Sequence, residues 1–207
     1  MAPPGKIARK VLGRYFEPFG NLYRRVFVDL DKIVTYLDQN IPEHAKVLDV
    51  GGGDGAVIDR LLDRRPDLEI TMCDLAPEIG EFLSARNRAK VRLFPATDFI
   101  DVEGEFDVVT ISDVMHHVPV AERASFFEAL ADACKSWKCR RVIVKDIEPE
   151  GLRAALSVLA DRYVTGDRHV VLFSRADFAR TAVPHFHKAR RTSAVPDAPN
   201  YCEMLSW

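Results

Sequence analysis

Cysteine is scarce in this chain. Its four thiols, Cys73, Cys134, Cys139 and Cys202, show neither a C-x-x-C pair nor zinc-ligand spacing, which argues against a disulfide scaffold and a structural zinc site. Cys73 falls in a predicted strand, and buried free thiols are the expectation. Long apolar runs are missing too. Nothing approaches the length that spans a bilayer, and the opening MAPPGKIARK lacks the uninterrupted apolar core of a secretion signal. A cytoplasmic protein without membrane insertion is therefore expected. There is no excess of charge of one sign: 29 basic residues stand against 31 acidic ones, a formal charge of -2. The basic pairs that begin at Arg24, Arg64, Arg140 and Arg190 are dispersed, so the chain carries no electrostatic footprint for nucleic acid. Internal repeats and low-complexity segments are absent as well. What remains is 207 residues with 47% hydrophobic content, enough for one domain with a full core and too short for two.

The most informative stretch is Val47 to Val57, VLDVGGGDGAV. Val47, Leu48 and Val50 form a short apolar run suited to the inside of a parallel sheet, and Ala56, Val57, Ile58, Leu61 and Leu62 recur at helical spacing. A sharp turn must join them. Gly51, Gly53 and Gly55 supply backbone without a Cβ where a side chain would block the turn or a ligand, and the following helix points unpaired amides into the gap. Gly51, Gly53 and Ala56 also satisfy the G-x-G-x-x-G/A fingerprint of dinucleotide-binding folds. Asp49 separates the two readings. A carboxylate two residues before the first glycine repels a pyrophosphate and suits a ligand with a positive end. S-adenosylmethionine has an ammonium group, a sulfonium and no phosphate. The segment resembles the first motif of the class I S-adenosylmethionine-dependent methyltransferases; a tight turn without a ligand is the plainer alternative.

Glu69 to Cys73 reads as a second strand ending at Asp74, beside the glycine loop in a right-handed crossover. A carboxylate about 20 residues beyond the glycines can accept from both ribose hydroxyls, and Leu75 would offer the adenine an apolar edge. Asp74 could instead cap a helix predicted over Pro77 to Arg88. Val91 to Phe94 is a third strand, followed by Asp98 and Phe99. The resemblance assigns Asp98 to the exocyclic amine of adenine, with Phe99 beside the ring; an ionised carboxylate only accepts, which is the polarity this amine needs.

Phe106 to Ile111 is a buried strand leading into SDVMHHVP, which resembles the fourth motif of small-molecule methyltransferases. Ser112 and Asp113 would lie by the methionine end of the cofactor, and His116 and His117 come next. Imidazole takes a proton near neutral pH, so either histidine is a candidate base, against the plainer reading that both merely pack or bond the loop. Arg141 to Asp146 is a fifth strand, and Asp146 at its end is a further candidate base or substrate contact. Asp98, Asp113 and Asp146 have the chemistry to hold a divalent cation, but Asp98 is already assigned to adenine and no metal is expected. Enzymes of this family that methylate nucleobase amines or glutamine amides carry an Asn/Asp-Pro-Pro-aromatic stretch here. Ser112 to Met115 has neither proline nor aromatic residue, which turns the expectation away from those substrates.

Around this centre, Pro18 to Leu37 is predicted as an amphipathic helix that either covers the cofactor or packs on the sheet; Tyr15, Phe16 and Tyr23 are its aromatics of interest. Val120 to Cys134 and Gly151 to Tyr163 read as helices. Asp167 to Phe173 is an insertion that would line the substrate pocket, with Tyr163, Arg168 and His169 as its polar reach. Ser174 and Asp177 open a short helix with a capping box. Phe186 to Thr192 and Tyr201 to Trp207 alternate as an antiparallel hairpin, in which His185 and His187 would share a surface face. The resemblance implies an α/β fold: a doubly wound, seven-stranded, mostly parallel sheet closed by a C-terminal antiparallel hairpin, the Rossmann-like methyltransferase fold. Residues 1–44 would be a helical cover and 45–207 the cofactor-binding unit. The implied cofactor is S-adenosyl-L-methionine and the implied partner a small-molecule methyl acceptor that takes the methyl group on oxygen, nitrogen or carbon. A cofactor-binding protein without turnover and an NAD-dependent oxidoreductase are the alternatives.

Overall fold

Among the residues the structure describes, seven strands form one sheet in the order β3-β2-β1-β4-β5-β7-β6. In the computed structural model, which describes residues 29–151 and 170–207 together with Ala154, Ala155 and Val158, β1 is Lys46–Val50, β2 Glu69–Asp74, β3 Arg92–Pro95, β4 Val108–Ser112 and β5 Arg141–Ile147. These five run parallel. β6, Arg190–Asp197, and β7, Asn200–Ser206, follow as an antiparallel hairpin, with β7 inserted antiparallel between β5 and β6. The strand order reverses between β1 and β4, which opens a crevice at their carboxyl ends, where ligands bind in open α/β sheets.

Helices cover both faces, as a doubly wound sheet requires. α1, Leu30–Asn40, and α2, Ala56–Arg64, bury Ile33, Val34 and Leu37 and Ile58, Leu61 and Leu62 against Val47, Ile70, Met72 and Val108. On the other face α4, Arg123–Trp137, and α5, Arg175–Thr181, pack Phe127, Leu130, Trp137 and Phe178 on Val109, Ile111, Val142 and Tyr201. No helix among the described residues is long and apolar enough to cross a membrane.

The expected fold class is the observed one; several element boundaries differ. The leading helix was expected from Pro18, but 1–28 lie outside the described residues, and the helix there begins at Leu30, where the Asp29 carboxylate accepts from the amides of Asp31 and Lys32. Its described part packs on the sheet. The helix expected over Pro77 to Arg88 is reduced to α3, Ala85–Arg88. Gly80 has a left-handed φ of 69°, and the amides of Gly80 and Phe82 donate to Gly53 O and Asp54 O, both at 2.8 Å. The segment is docked on the glycine loop instead of closing its own helical turns. The first hairpin strand starts at Arg190, because a 3₁₀ turn at Val183–His185 carries the chain out of α5; His185 and His187 therefore share no strand face. β6 runs through Pro196, tolerated at an edge strand whose register shifts between Ala194 and Asp197. All four cysteines are free and buried. Tyr15, Phe16, Tyr23, Tyr163, Arg168, His169 and most of the helix expected over Gly151 to Tyr163 lie outside the described residues.

Candidate active site

β1 delivers the chain into the glycine loop at the crevice. The amides of Gly51 and Gly52 donate to Cys73 O at 2.8 and 3.2 Å, tying the loop to the end of β2. A Cβ on Gly51 would stand 2.3 Å from Val114 Cγ2. One on Gly52 would stand 2.7 Å from Met72 Cε and 2.8 Å from Asp49 Oδ2, so the middle glycine, passed over in the alternating pattern, is sterically obliged by its neighbours. Gly53 and Gly55 have φ of 51° and 80°, and Gly55 is the N-cap of α2. These conformations favour glycine.

Asp74 braces the loop from β2. Its Oδ2 accepts from Gly53 N at 2.9 Å and its Oδ1 from Ala76 N at 2.8 Å; the second bond closes a turn, and no helix follows for it to cap. Each oxygen keeps a further lone pair. Leu75, next along, is 72% exposed. The loop after β3 is fastened to this corner, with Thr97 N on Asp74 O at 3.0 Å and Ala96 N on Ala76 O at 2.9 Å. Asp98 accepts from Ile100 N and caps the 3₁₀ turn of Phe99–Asp101. Phe99 is turned inward: its ring meets Phe126 and Trp137 edge-on, with centroids 5.1 and 6.4 Å away, and the residue is buried. The ring expected beside adenine is thus part of the core.

Asp49 is 5% exposed and accepts from Thr110 Oγ1 at 2.6 Å. Burial pushes its carboxyl up to about 7, the Thr110 hydroxyl pulls it down, and the charge of Asp74 pushes it up. The three acids of the crevice share one neighbour. Burial pushes the Cys73 thiol up to about 12, and the charges of Asp49, Asp74 and Asp98 all push it the same way.

At the end of β4 the chain turns through Asp113, whose φ is 59°. Its carboxylate receives the Lys145 ammonium, Nζ lying 2.5 and 2.7 Å from its two oxygens. Burial pushes the Asp113 carboxyl up; the pull of Lys145 and His116 is stronger and leaves it below its ordinary value. Lys145 is buried in β5, and no sequence spacing marks it as the partner of Asp113. Beside this pair His116 Nδ1 lies 2.8 Å from Asp146 Oδ1, and that oxygen also accepts from Ile147 N at 2.8 Å. Asp146 Oδ2 is buried without a hydrogen-bond partner. His116 is 3% exposed, held inside by Asp146. His117 is exposed, its ring 4.2 Å from that of His116. Asp113, His116 and Asp146 bring ligand atoms within 4.8 Å of one another, a donor set fit for a cation, and Asp113 also receives the Lys145 ammonium. Asp98 is not part of that group.

Residues 48–136 match a family described as "Methyltransferase domain". Among curated proteins, the malonyl-[acyl-carrier protein] O-methyltransferase of Geobacter sulfurreducens is 32% identical over 120 residues, 55% of this chain and 43% of that protein. The ribosomal RNA small subunit methyltransferase C of Citrobacter koseri is 34% identical over 74 residues, 34% of this chain and 22% of that protein. The chain spans less than half the length of these curated relatives. Among solved structures, the S-adenosylmethionine-dependent methyltransferase SibL in its apo form superposes with a TM-score of 0.68 at 20% identity, covering 94% of this chain and 58% of that one. At that identity the likeness establishes the fold.

Proposed function

We infer that this chain, whose residues 48–136 match a methyltransferase-domain family and whose fold is that of an S-adenosylmethionine-dependent methyltransferase, is an enzyme that binds S-adenosyl-L-methionine at the carboxyl ends of β1 to β4 and methylates a small molecule. The observation that carries this reading is the placement of Asp49 on β1, Asp74 at the end of β2 and Asp98 in the loop after β3 along one sheet edge, with Asp74 accepting from Gly53 N of the glycine loop and from Thr97 N beside Asp98. Acceptor-only side chains around backbone amides suit a cationic nucleoside and repel a pyrophosphate. Asp74 would take the ribose hydroxyls with its spare lone pairs, Leu75 the adenine edge and Asp98 the adenine amine. Asp49, Gly51, Gly53 and Gly55 with Ser112 and Asp113 would hold the amino-acid end.

The bound cofactor supplies a methyl group on a sulfonium, already primed to leave. The protein's contribution is then to place the acceptor in line and to exclude water. Where the acceptor carries an O–H or N–H, His116 takes that proton. With Nδ1 donating to the Asp146 carboxylate, which can only accept, the neutral imidazole carries its lone pair on Nε2. Asp146 then stabilises the imidazolium. His117, which is exposed, would be a contact for the methyl acceptor.

The balanced charge of the chain supports a small molecule over the RNA named for one relative, and the four free, buried cysteines suit a cytoplasmic setting. The test is transfer of label from methyl-labelled S-adenosylmethionine into a small-molecule extract, with S-adenosylhomocysteine as co-product. A methylated product bears the reading out. Cofactor binding without transfer points to a non-catalytic binder, and binding of NAD in its place to an oxidoreductase.

A further inference from the structure

Arg123 opens α4 and is 2% exposed, an unusual position for a guanidinium. Its hydrogen bonds go to backbone carbonyls: Nε donates to Val118 O at 3.1 Å, and a terminal nitrogen donates to Val171 O. The guanidinium also lies over the Phe173 ring, 5.1 Å from its centroid. Burial holds the group below its ordinary value, and the charges of Asp177 and Asp146 push back against that.

The two carbonyls belong to segments that meet at His116. Val118 is two residues beyond it, in the loop after β4, and Val171 N donates to His116 O at 3.1 Å. The Val171 segment is anchored in turn from the sheet, because Tyr201 Oη donates to Phe173 O at 2.5 Å. Tyr201 stands directly opposite Asp146 in the β5–β7 register. A continuous path of bonds thus leaves Asp146 through its strand partner, crosses Phe173 and Val171, and returns to the backbone of His116. Among the described residues, Arg123 is the side chain on that path that grips both segments at once.

We infer that Arg123 is a positioning residue: forked between the carbonyls of Val118 and Val171, it holds the His116 loop where Nδ1 meets Asp146, and so fixes which ring nitrogen keeps the proton. The inference rests on the His116–Asp146 dyad proposed above as the proton acceptor. A planar fork is what the task needs. Lysine carries the charge but has one compact head and cannot bridge two carbonyls with fixed geometry. Without the strap, the bond from Val171 N to His116 O is what ties the loop to the Val171 segment among the described residues.

The test reads the tautomer directly, with long-range proton–nitrogen spectra of histidine-labelled protein at alkaline pH, His116 being assigned with His116→Gln. The wild type is expected to show one neutral tautomer at His116, protonated on Nδ1. Arg123→Met is expected to show a mixture of tautomers, with S-adenosylhomocysteine binding by calorimetry unchanged. Arg123→Lys is expected to show a partial mixture, and it decides alone, on the same criterion, if Arg123→Met does not fold. Folded variants that keep the wild-type tautomer overturn the positioning role and leave the dyad standing. A mixture already present in the wild type overturns the dyad itself and the inference with it.

Discussion

His116 Nδ1 and Asp146 Oδ1 face each other across 2.8 Å, with side-chain exposures of 3% and 0%. That bond selects the tautomer in which Nε2 accepts a proton. Asp146→Asn replaces an acceptor with a group that can donate, and the wrong tautomer follows. Methyl transfer to an acceptor that must lose a proton is expected to fall by about 10²–10⁴-fold, the range typical of lost general-base catalysis. Affinity for S-adenosylhomocysteine should stay put. Turnover and calorimetry on the same variant check both halves, and an equal loss in binding would contradict the assignment.

Asp74 holds Gly53 N and Ala76 N at once. Asp74→Ala removes the brace of the glycine loop together with the proposed ribose contact. The protein is expected to lose about 1–3 kcal/mol of stability, the cost of leaving such donors unpaired, and to bind S-adenosylhomocysteine more weakly by more than the stability change explains. Asp74→Asn keeps an acceptor and should lose less of both. Thermal melts with and without ligand separate the two effects.

Gly52 has no room for a methyl group between Met72 Cε and Asp49 Oδ2, at 2.7 and 2.8 Å from the Cβ position. Gly52→Ala is expected to destabilise the fold by about 1–3 kcal/mol, as overpacking does, and to displace the Asp49 carboxylate. Met72→Ala opens one side of that clash. In the double variant part of the lost stability should return while the contact with Asp49 persists, a difference that chemical denaturation resolves.

Asp49 gives the pH dependence a sign. Burial raises its carboxyl from 3.8 to about 7, so between those values the folded state holds a proton that the unfolded state has released. The stability contributed by that proton is complete below 3.8 and is lost as pH rises towards about 7. Asp49→Asn should remove this slope. Thr110→Val, which takes away the hydrogen bond that favours the anion, should carry the slope to higher pH. A ligand ammonium near Asp49 favours the ionised form, so below about 7 binding of S-adenosylhomocysteine should release a proton, read from the buffer dependence of the binding heat.

The parts of the fold legible in the sequence are those governed by short-range pattern. The buried run before Gly51, the acid at the end of the second strand and the Ser174–Asp177 capping box each encode their element locally, and each is found where expected. The docked segment from Pro77 to Ser84 was not legible, because Gly80 and Phe82 take their acceptors from Gly53 and Asp54, far away in sequence. The packing of Phe99 was not legible for the same reason: its neighbours Phe126 and Trp137 come from α4, and only the packed structure shows them meeting its ring. In the site, Asp49, Asp74 and His116 carried signals of position. Thr110, Lys145 and Arg123 did not, since their roles consist of partners 61, 32 and 48 residues distant. Gly52 had the clue of a third consecutive glycine, which the alternating pattern obscured.

The central claim is that the crevice at the ends of β1 to β4 takes a cationic nucleoside and not a dinucleotide. Calorimetric titration of the wild type with S-adenosylhomocysteine, and separately with NAD, tests it most directly. The account predicts saturable one-to-one binding of S-adenosylhomocysteine that Asp74→Ala weakens, and no heat from NAD. Binding of NAD in competition with S-adenosylhomocysteine, or no binding of S-adenosylhomocysteine to the folded protein, would contradict it.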